Sequence, residues 1–316
     1  MKEGVRRITS YPFCFACVFY GYNFTTLLIG AGVFNRLAVL AQHILPKHAI
    51  TVFAGKVANA KAGNLTTAII RWFIGRYGVN MQEAAESNPE NYQTFNDFFT
   101  RSLRAGVRPL AQADFICPVD GAISQFGPIQ SDQIFQAKGH SYSTIALLGG
   151  DKDLAEKFKD GSFATLYLSP KDYHRIHMPC DGQLKRMIYV PGSLFSVNPA
   201  TAQGIPNLFA RNERVICEFE SSRGVFALVL VGATIVGSMA TVWHGVVNPP
   251  RMKDIHVWQY SSEQGIALKK GDEMGRFLLG STVVLVFPKD TLQFNPEWAP
   301  AHAVQLGQMM ALSTGD

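Results

Sequence analysis

Acidic residues are missing from the N-terminal part of this chain: between Gly4 and Gln82 there is no Asp or Glu. Arg6, Arg7, Arg36, Lys47, Lys56, Lys61, Arg71 and Arg76 all fall in the same stretch. Residues 1–82 carry a formal +8 and the remainder −3, which together give the +5 of the 316-residue chain. A basic, acid-free, apolar-rich end is what an anionic lipid surface attracts, each nearby Lys or Arg being worth about 1 kcal/mol. Nucleic acid fits less well, because the aromatics here are mixed with leucine, isoleucine and alanine instead of being arrayed on a basic groove.

Cysteine is also scarce. There are five, Cys14, Cys17, Cys117, Cys180 and Cys217, and their odd count and scattered spacing exclude a disulfide framework. A reducing, cytoplasmic-side location fits. Cys14-Phe15-Ala16-Cys17 has redox-motif spacing but lies in an apolar aromatic run, so it reads as buried or lipid-facing. Repeats and low-complexity tracts are absent. Charge is absent from Ile8 to Asn35, a length that could span a bilayer. Pro12, Asn23, Thr25, Thr26 and several glycines dilute it. It reads as a membrane anchor, as an interfacial segment or hairpin, or as a leader, although no small-residue cleavage site stands out.

What is present divides the chain in two. Residues 1–80 form a basic, apolar, membrane-facing region, with short amphipathic helices expected over 37–77. Residues 81–316 form the second unit, polar and helical from Met81 to about Arg108. From Asp114 onward short β-runs alternate with Gly/Pro turns: Phe163–Leu168, Gln183–Val190, Val215–Phe219, Val225–Val231, Thr234–Val242 and Thr282–Phe287. The class is α+β, with a mostly antiparallel sandwich or barrel core.

Three segments carry chemistry. The first is Gly280-Ser281-Thr282, where a serine follows a glycine at the mouth of a β-run. Glycine has no Cβ to obstruct attack by the hydroxyl on the preceding carbonyl. Alone, the tripeptide is ordinary turn chemistry. The second is Leu168-Ser169-Pro170-Lys171-Asp172-Tyr173-His174-Arg175-Ile176-His177-Met178-Pro179-Cys180, and the third is Pro118-Val119-Asp120-Gly121. Serine, histidine and aspartate are the parts of an activated nucleophile. A zinc reading of His174, His177 and Cys180 needs a helix that Pro179 would disrupt. No metal is expected. Asp120 alone, before a glycine, reads as a turn aspartate.

Taken together, and with Gln136–His140, Val190–Asn198, Asn207–Val215 and Gly232–Gly237, these segments resemble the phosphatidylserine decarboxylases, and look closest to proteobacterial members. The resemblance runs from about Ile44 to the C-terminal region. It implies self-cleavage between Gly280 and Ser281 into a large chain (1–280) and a small one (281–316). Ser281 would become a pyruvoyl cofactor that captures the substrate amine as a Schiff base, converting phosphatidylserine to phosphatidylethanolamine and carbon dioxide. It implies His177 as the processing base, Asp120 as its carboxylate partner, and His174 in decarboxylation. An imidazole titrating near neutrality suits proton delivery there. Tyr167, Phe195 and Ser196 are substrate-binding candidates, and His140 is structural or substrate-lining. A homodimer at the cell membrane, peripheral or anchored, is also implied. A pyruvoyl decarboxylase of a soluble amino acid, or a non-catalytic lipid-binding protein, is the alternative.

Overall fold

A computed structural model of the chain describes residue 42 and residues 45–235, 238–260, 265–279 and 282–314. Gly280, Ser281, Cys14, Cys17 and the stretch Ile8–Asn35 lie outside the described residues. Two helices come first, α1 (Lys47–Ala58) and α2 (Asn64–Tyr77). The helical period gathers Thr66, Ile70 and Phe73 on the buried face of α2. Gly78 ends that helix in the left-handed region, φ 68°, and its N–H returns to the Ile74 carbonyl.

The segment expected to be helical from Met81 to Arg108 is mostly not. It holds two 3-10 turns, Met81–Glu83 and Pro89–Asn91, and one short helix, α3 (Phe95–Phe99). Asn80 and Asn88 each accept from the N–H two residues on, and Thr94 and Asp97 form a capping box. Side chains that bond their own backbone so often favour turns over one continuous helix.

From Gly121 onward the chain is built mainly on antiparallel strands. In chain order the relevant ones are β1 (Gly121–Pro128), β2 (Ser162–Tyr167), β3 (Arg175–His177), β4 (Gly182–Val190), β5 (Arg214–Ser221), β6 (Gly224–Val231) and β7 (Met239–Thr241). β8 (Gly245–Asn248), β9 (His256–Gln259), β10 (Ala267–Leu268), β11 (Glu273–Phe277), β12 (Thr282–Phe287) and β13 (Ala303–Val304) follow. Nine of them form one sheet in the order β9-β4-β5-β6-β12-β2-β1-β13, with β10 also paired to β4. That path has two ends, so its hydrogen bonds do not close it into a barrel. A second sheet runs β8-β7-β11-β3.

β12 sits near the middle of the large sheet, and every one of its residues is buried. Thr-Val-Val-Leu-Val-Phe is apolar and β-branched on both faces, as such a position requires. Its first residue, Thr282, pairs with Val231 of β6 and Tyr167 of β2. The run Thr234–Val242, expected as one strand, shortens to β7. Ile235 has φ 73°, and the Thr234 hydroxyl donates to the Leu194 carbonyl, which takes this stretch out of the sheet.

Gly121 opens β1, so Asp120 does not sit in an isolated turn. A Cβ at Gly121 would lie 2.3 Å from the Tyr167 carbonyl oxygen. Gly121→Ala must push β1 from β2, a steric cost of about 1–3 kcal/mol. Denaturant unfolding of the full chain should show a lower midpoint with an unchanged slope; an unshifted midpoint would refute the close approach.

Candidate active site

β3 carries His177, and His174 lies in the loop directly before it; the neighbours of each determine what it can do. The Phe277 N–H donates to the His174 carbonyl (3.0 Å), and the His177 N–H donates to the Pro118 carbonyl (2.9 Å). The segment before Asp120 therefore lies against His177. On the described residues that flank Gly280 and Ser281, Phe277 is held to His174 and Thr282 to Tyr167.

His177 Nδ1 is 2.8 Å from the Gly271 carbonyl, and its Nε2 is 3.0 Å from the Tyr173 hydroxyl. A carbonyl only accepts, so Nδ1 carries the proton and donates it there. Nε2 is then the lone-pair nitrogen, accepting from Tyr173. Burial pushes the Tyr173 phenol up and the His177 imidazole down, so the pair is neutral at pH 7. A neutral imidazole with its free lone pair at Nε2 is the form a general base needs.

Asp120 is not bonded to that imidazole, as the sequence reading supposed. Its Oδ1 accepts from Arg108 Nε (3.0 Å) and the Leu306 N–H (2.9 Å), and its Oδ2 from Arg108 Nη2 (2.6 Å). Arg108 also reaches Glu83 at 2.7 Å. The group that orients His177 here is the Gly271 carbonyl. Asp120 reaches His177 only as a charge, favouring the imidazolium more weakly than Glu273 does.

His174 is fully buried, its ring 4.1 Å from that of Phe99. Its Nδ1–H donates to the Asp172 carbonyl (2.8 Å), while Nε2 has no hydrogen-bond partner. Burial, reinforced by the nearby Arg101 charge, pushes its pKa down to about 3. The expectation of an imidazole titrating near neutrality is therefore corrected: at pH 7 His174 holds no extra proton. Three neighbouring groups escaped the sequence reading. Tyr173 lies inside the quoted motif, whereas Arg101 and Arg108 sit in a segment that read only as a polar helix.

The substrate-binding candidates divide. Tyr167 ends β2 beside Thr282. Phe195 is buried with Lys47 Nζ 4.4 Å and the Arg211 guanidinium 4.9 Å from its ring centre. The Ser196 N–H donates to Gln42 Oε1 (3.1 Å). Asn212 links this loop to the central sheet, its Nδ2 donating to the carbonyls of Phe195 and Gly232, both at 2.8 Å. Among the described residues no group of three or more His, Cys, Asp or Glu could hold a metal ion. His140 opens a two-stranded hairpin, Gln133–Ala137 with His140–Ser143, away from the large sheet's hydrogen-bonded path.

The buried imidazole fixes a pH dependence. An unfolded His174 titrates near 6.5, so between that value and about 3 the unfolded chain binds a proton that the native chain refuses. Stability therefore falls as pH drops, by about 2 kcal/mol at pH 5 from this residue alone. Melting curves of the wild type at pH 7.5 and 5 should show the loss, and His174→Gln should reduce it. Equal pH slopes for the two proteins would refute the assignment.

Comparison with known proteins gives the same family. The phosphatidylserine decarboxylase family model matches residues 95–312, and a second, named PSD, matches residues 37–78. The phosphatidylserine decarboxylase proenzyme of Dechloromonas aromatica (strain RCB) is 70% identical over 276 residues, covering 87% of this chain and 98% of the relative. Those of Albidiferax ferrireducens and Herminiimonas arsenicoxydans are each 69% identical over 88% of this chain, covering 98% and 94% of their own lengths. With a family model matched over most of the sheet and curated relatives about 70% identical over most of its length, the chain belongs to the phosphatidylserine decarboxylase family.

Proposed function

We propose that the chain is cut between Gly280 and Ser281, with His177 as the base. The chain is a phosphatidylserine decarboxylase made as a proenzyme, and the family uses a self-generated pyruvoyl group. The observation that carries the site assignment is the neutral His177: its Nε2 lone pair faces the weakly donating Tyr173 hydroxyl, and its strand pairs with the β11 stretch that leads toward Gly280. Tyr173 yields Nε2 when Ser281 Oγ presents its proton. Oγ then adds to the Gly280 carbonyl, turning amide into ester. Loss of the Ser281 Cα proton breaks the Cβ–Oγ bond, and Gly280 leaves as a carboxylate. Asp120, paired with Arg108, supplies fixed negative charge beside the imidazolium that forms.

The residues around the start of β12 fit a pyruvoyl group. His174 Nε2 and Thr282 Oγ1 are buried without partners, and so are Nε and Nη1 of Arg101, so polar atoms there have bonding capacity that the protein leaves unused. The group supplies a ketone that takes up an amine and withdraws the electrons left when carbon dioxide departs. His174 is the proposed proton carrier. Being neutral, it first accepts a proton at Nε2 and only then can give one.

Phosphatidylserine reaches the site along the N-terminal helices. Val52, Phe53 and Val57 of α1 and Leu65 and Trp72 of α2 are exposed, between 46% and 61%. They stand among Lys56, Lys61 and Arg71 on a stretch without acidic residues. No helix among the described residues is long and apolar enough to cross a membrane. Apolar side chains rimmed by cations suit the plane of an anionic bilayer surface. A soluble amino acid substrate would need no such face. The two-unit division at residue 80 and the homodimer belong to the same proposal; sedimentation of the purified enzyme as a monomer removes the dimer.

Intact mass is the direct test. The wild type should give two chains, the small one bearing a blocked, keto-containing N-terminus, and Ser281→Ala should give one. Two chains from Ser281→Ala would refute the cut. His177→Ala should slow cutting about 100-fold or more, and Asp120→Asn less, because Asp120 acts only as a charge. Phe53→Ser with Trp72→Ser should weaken binding to phosphatidylserine-containing vesicles about tenfold, roughly 1.4 kcal/mol; unchanged partitioning measured by flotation would remove α1 and α2 from the membrane contact.

A further inference from the structure

Arg101 is a cation with too few partners. It is 5% exposed, yet only Nη2 has a hydrogen bond, to the Lys171 carbonyl at 3.1 Å. Nε and Nη1 are buried without partners. Its guanidinium carbon lies 5.4 Å from the centre of the Phe98 ring. No ion pair involves it among the described residues, although three carboxylates are near enough to act on it, Asp120, Asp172 and Glu83. Each is committed elsewhere. Asp120 and Glu83 share Arg108, and Asp172 Oδ2 accepts from the Ser169 N–H and hydroxyl, both at 2.7 Å. A buried charge in this condition costs several kcal/mol that pairing would recover.

Its position says what the pairing partner is. Lys171, which holds Nη2, lies in the loop between β2 and β3. One end of that loop, Tyr167, pairs with Thr282; the other, His174, pairs with Phe277. The guanidinium is thus attached to the loop whose two ends hold Phe277 and Thr282, the described residues on either side of the proposed cut, and its charge is felt by His174. Two carboxylates belong to that place. One is the carboxylate of the serine headgroup, the single group that distinguishes substrate from product. The other is the carboxylate that cutting creates on Gly280.

We propose that Arg101 is a carboxylate-binding residue, taking the substrate's serine carboxylate or the Gly280 carboxylate formed on cutting. Guanidinium donors suit a planar carboxylate. A buried cation serving the headgroup would hold phosphatidylserine and release phosphatidylethanolamine, which lacks the anion. Serving Gly280, it would neutralise a new charge in an apolar setting and favour the cut form. The idea rests on the proposed cleavage, and a wild type of uncut mass sinks that reading before any Arg101 variant is made.

The test uses Arg101→Gln and Arg101→Lys in the full chain, each also combined with Ser281→Ala. KM for short-chain phosphatidylserine and Ki for short-chain phosphatidylethanolamine are measured, with melting temperatures of cut and uncut forms. If the headgroup is the ligand, Arg101→Gln raises KM about tenfold or more and leaves Ki unchanged. If Gly280 is the ligand, Arg101→Gln lowers the melting temperature of the cut form by several degrees more than that of the uncut Ser281→Ala form. KM and Ki rising together, or neither moving while both forms lose equal stability, overturns the proposal. Should Arg101→Gln remain uncut, Arg101→Lys, which keeps the charge but not the planar fork, carries the same comparisons with the same outcomes.

Discussion

The structure depends on β12 being gripped along its whole length by β6 on one side and β2 on the other. Val283, Val284, Leu285, Val286 and Phe287 are completely buried, and their burial is worth on the order of 10 kcal/mol. A chain cut between Gly280 and Ser281, as proposed, would therefore stay assembled, because the strand that begins at Thr282 is part of the core. The described residues on either side of the proposed cut are held in place. Phe277 is held to His174 three residues before Gly280, and Thr282 is held to Tyr167 immediately after Ser281. Under the proposed cut, the grip on β12 that would hold the product together also holds the residues flanking the cut.

The electrostatics follow from the same burial. Placing His177 on a short strand beside β11, and His174 in the loop just before it, takes both rings wholly or partly out of water, and desolvation leads the causes that depress both imidazoles. Nearby charges then modulate each one. Glu273 and Asp120 act to restore His177, whereas Arg101 depresses His174 further. Burial leads in lowering both histidines of the motif, and the charged neighbours that face each ring act on the two, on balance, in opposite directions.

Legibility in the sequence tracked how local the deciding interaction was. Thr282–Phe287 and Val225–Val231 were readable as strands because an unbroken apolar, β-branched run has few other uses. β1 was not, since Gly-Ala-Ile-Ser-Gln-Phe-Gly-Pro has little apolar pattern and earns its place through pairing with β2 and the close approach at Gly121. Serine, histidine and aspartate were readable as the parts of an activated nucleophile, but the pairing of Asp120 with His177 came only from the family resemblance. Arg108, only twelve residues away in sequence, outcompetes an imidazole for a carboxylate because it offers two charged donors in a fork. Arg101 was invisible for the opposite reason: its meaning lies in partners it lacks, and sequence does not display an unmade bond.

That difference bears on how the two histidines divide their work. In the proposed mechanism the half-buried, neutral His177 is the base and His174 the proton donor, and His177 needs no preparation beyond the Gly271 carbonyl that fixes its tautomer. An acid is another matter. His174 lies near the Arg101 charge, in a setting where an extra proton is held only below a pH of about 3. It can donate only a proton received in the same cycle, and it holds that proton better when the Arg101 charge is neutralised. An anion that pairs with Arg101 therefore raises the proton affinity of His174 at the moment it arrives, coupling occupancy of the site to the readiness of its acid. Loss of the anion reverses the coupling and returns the imidazole to its neutral form.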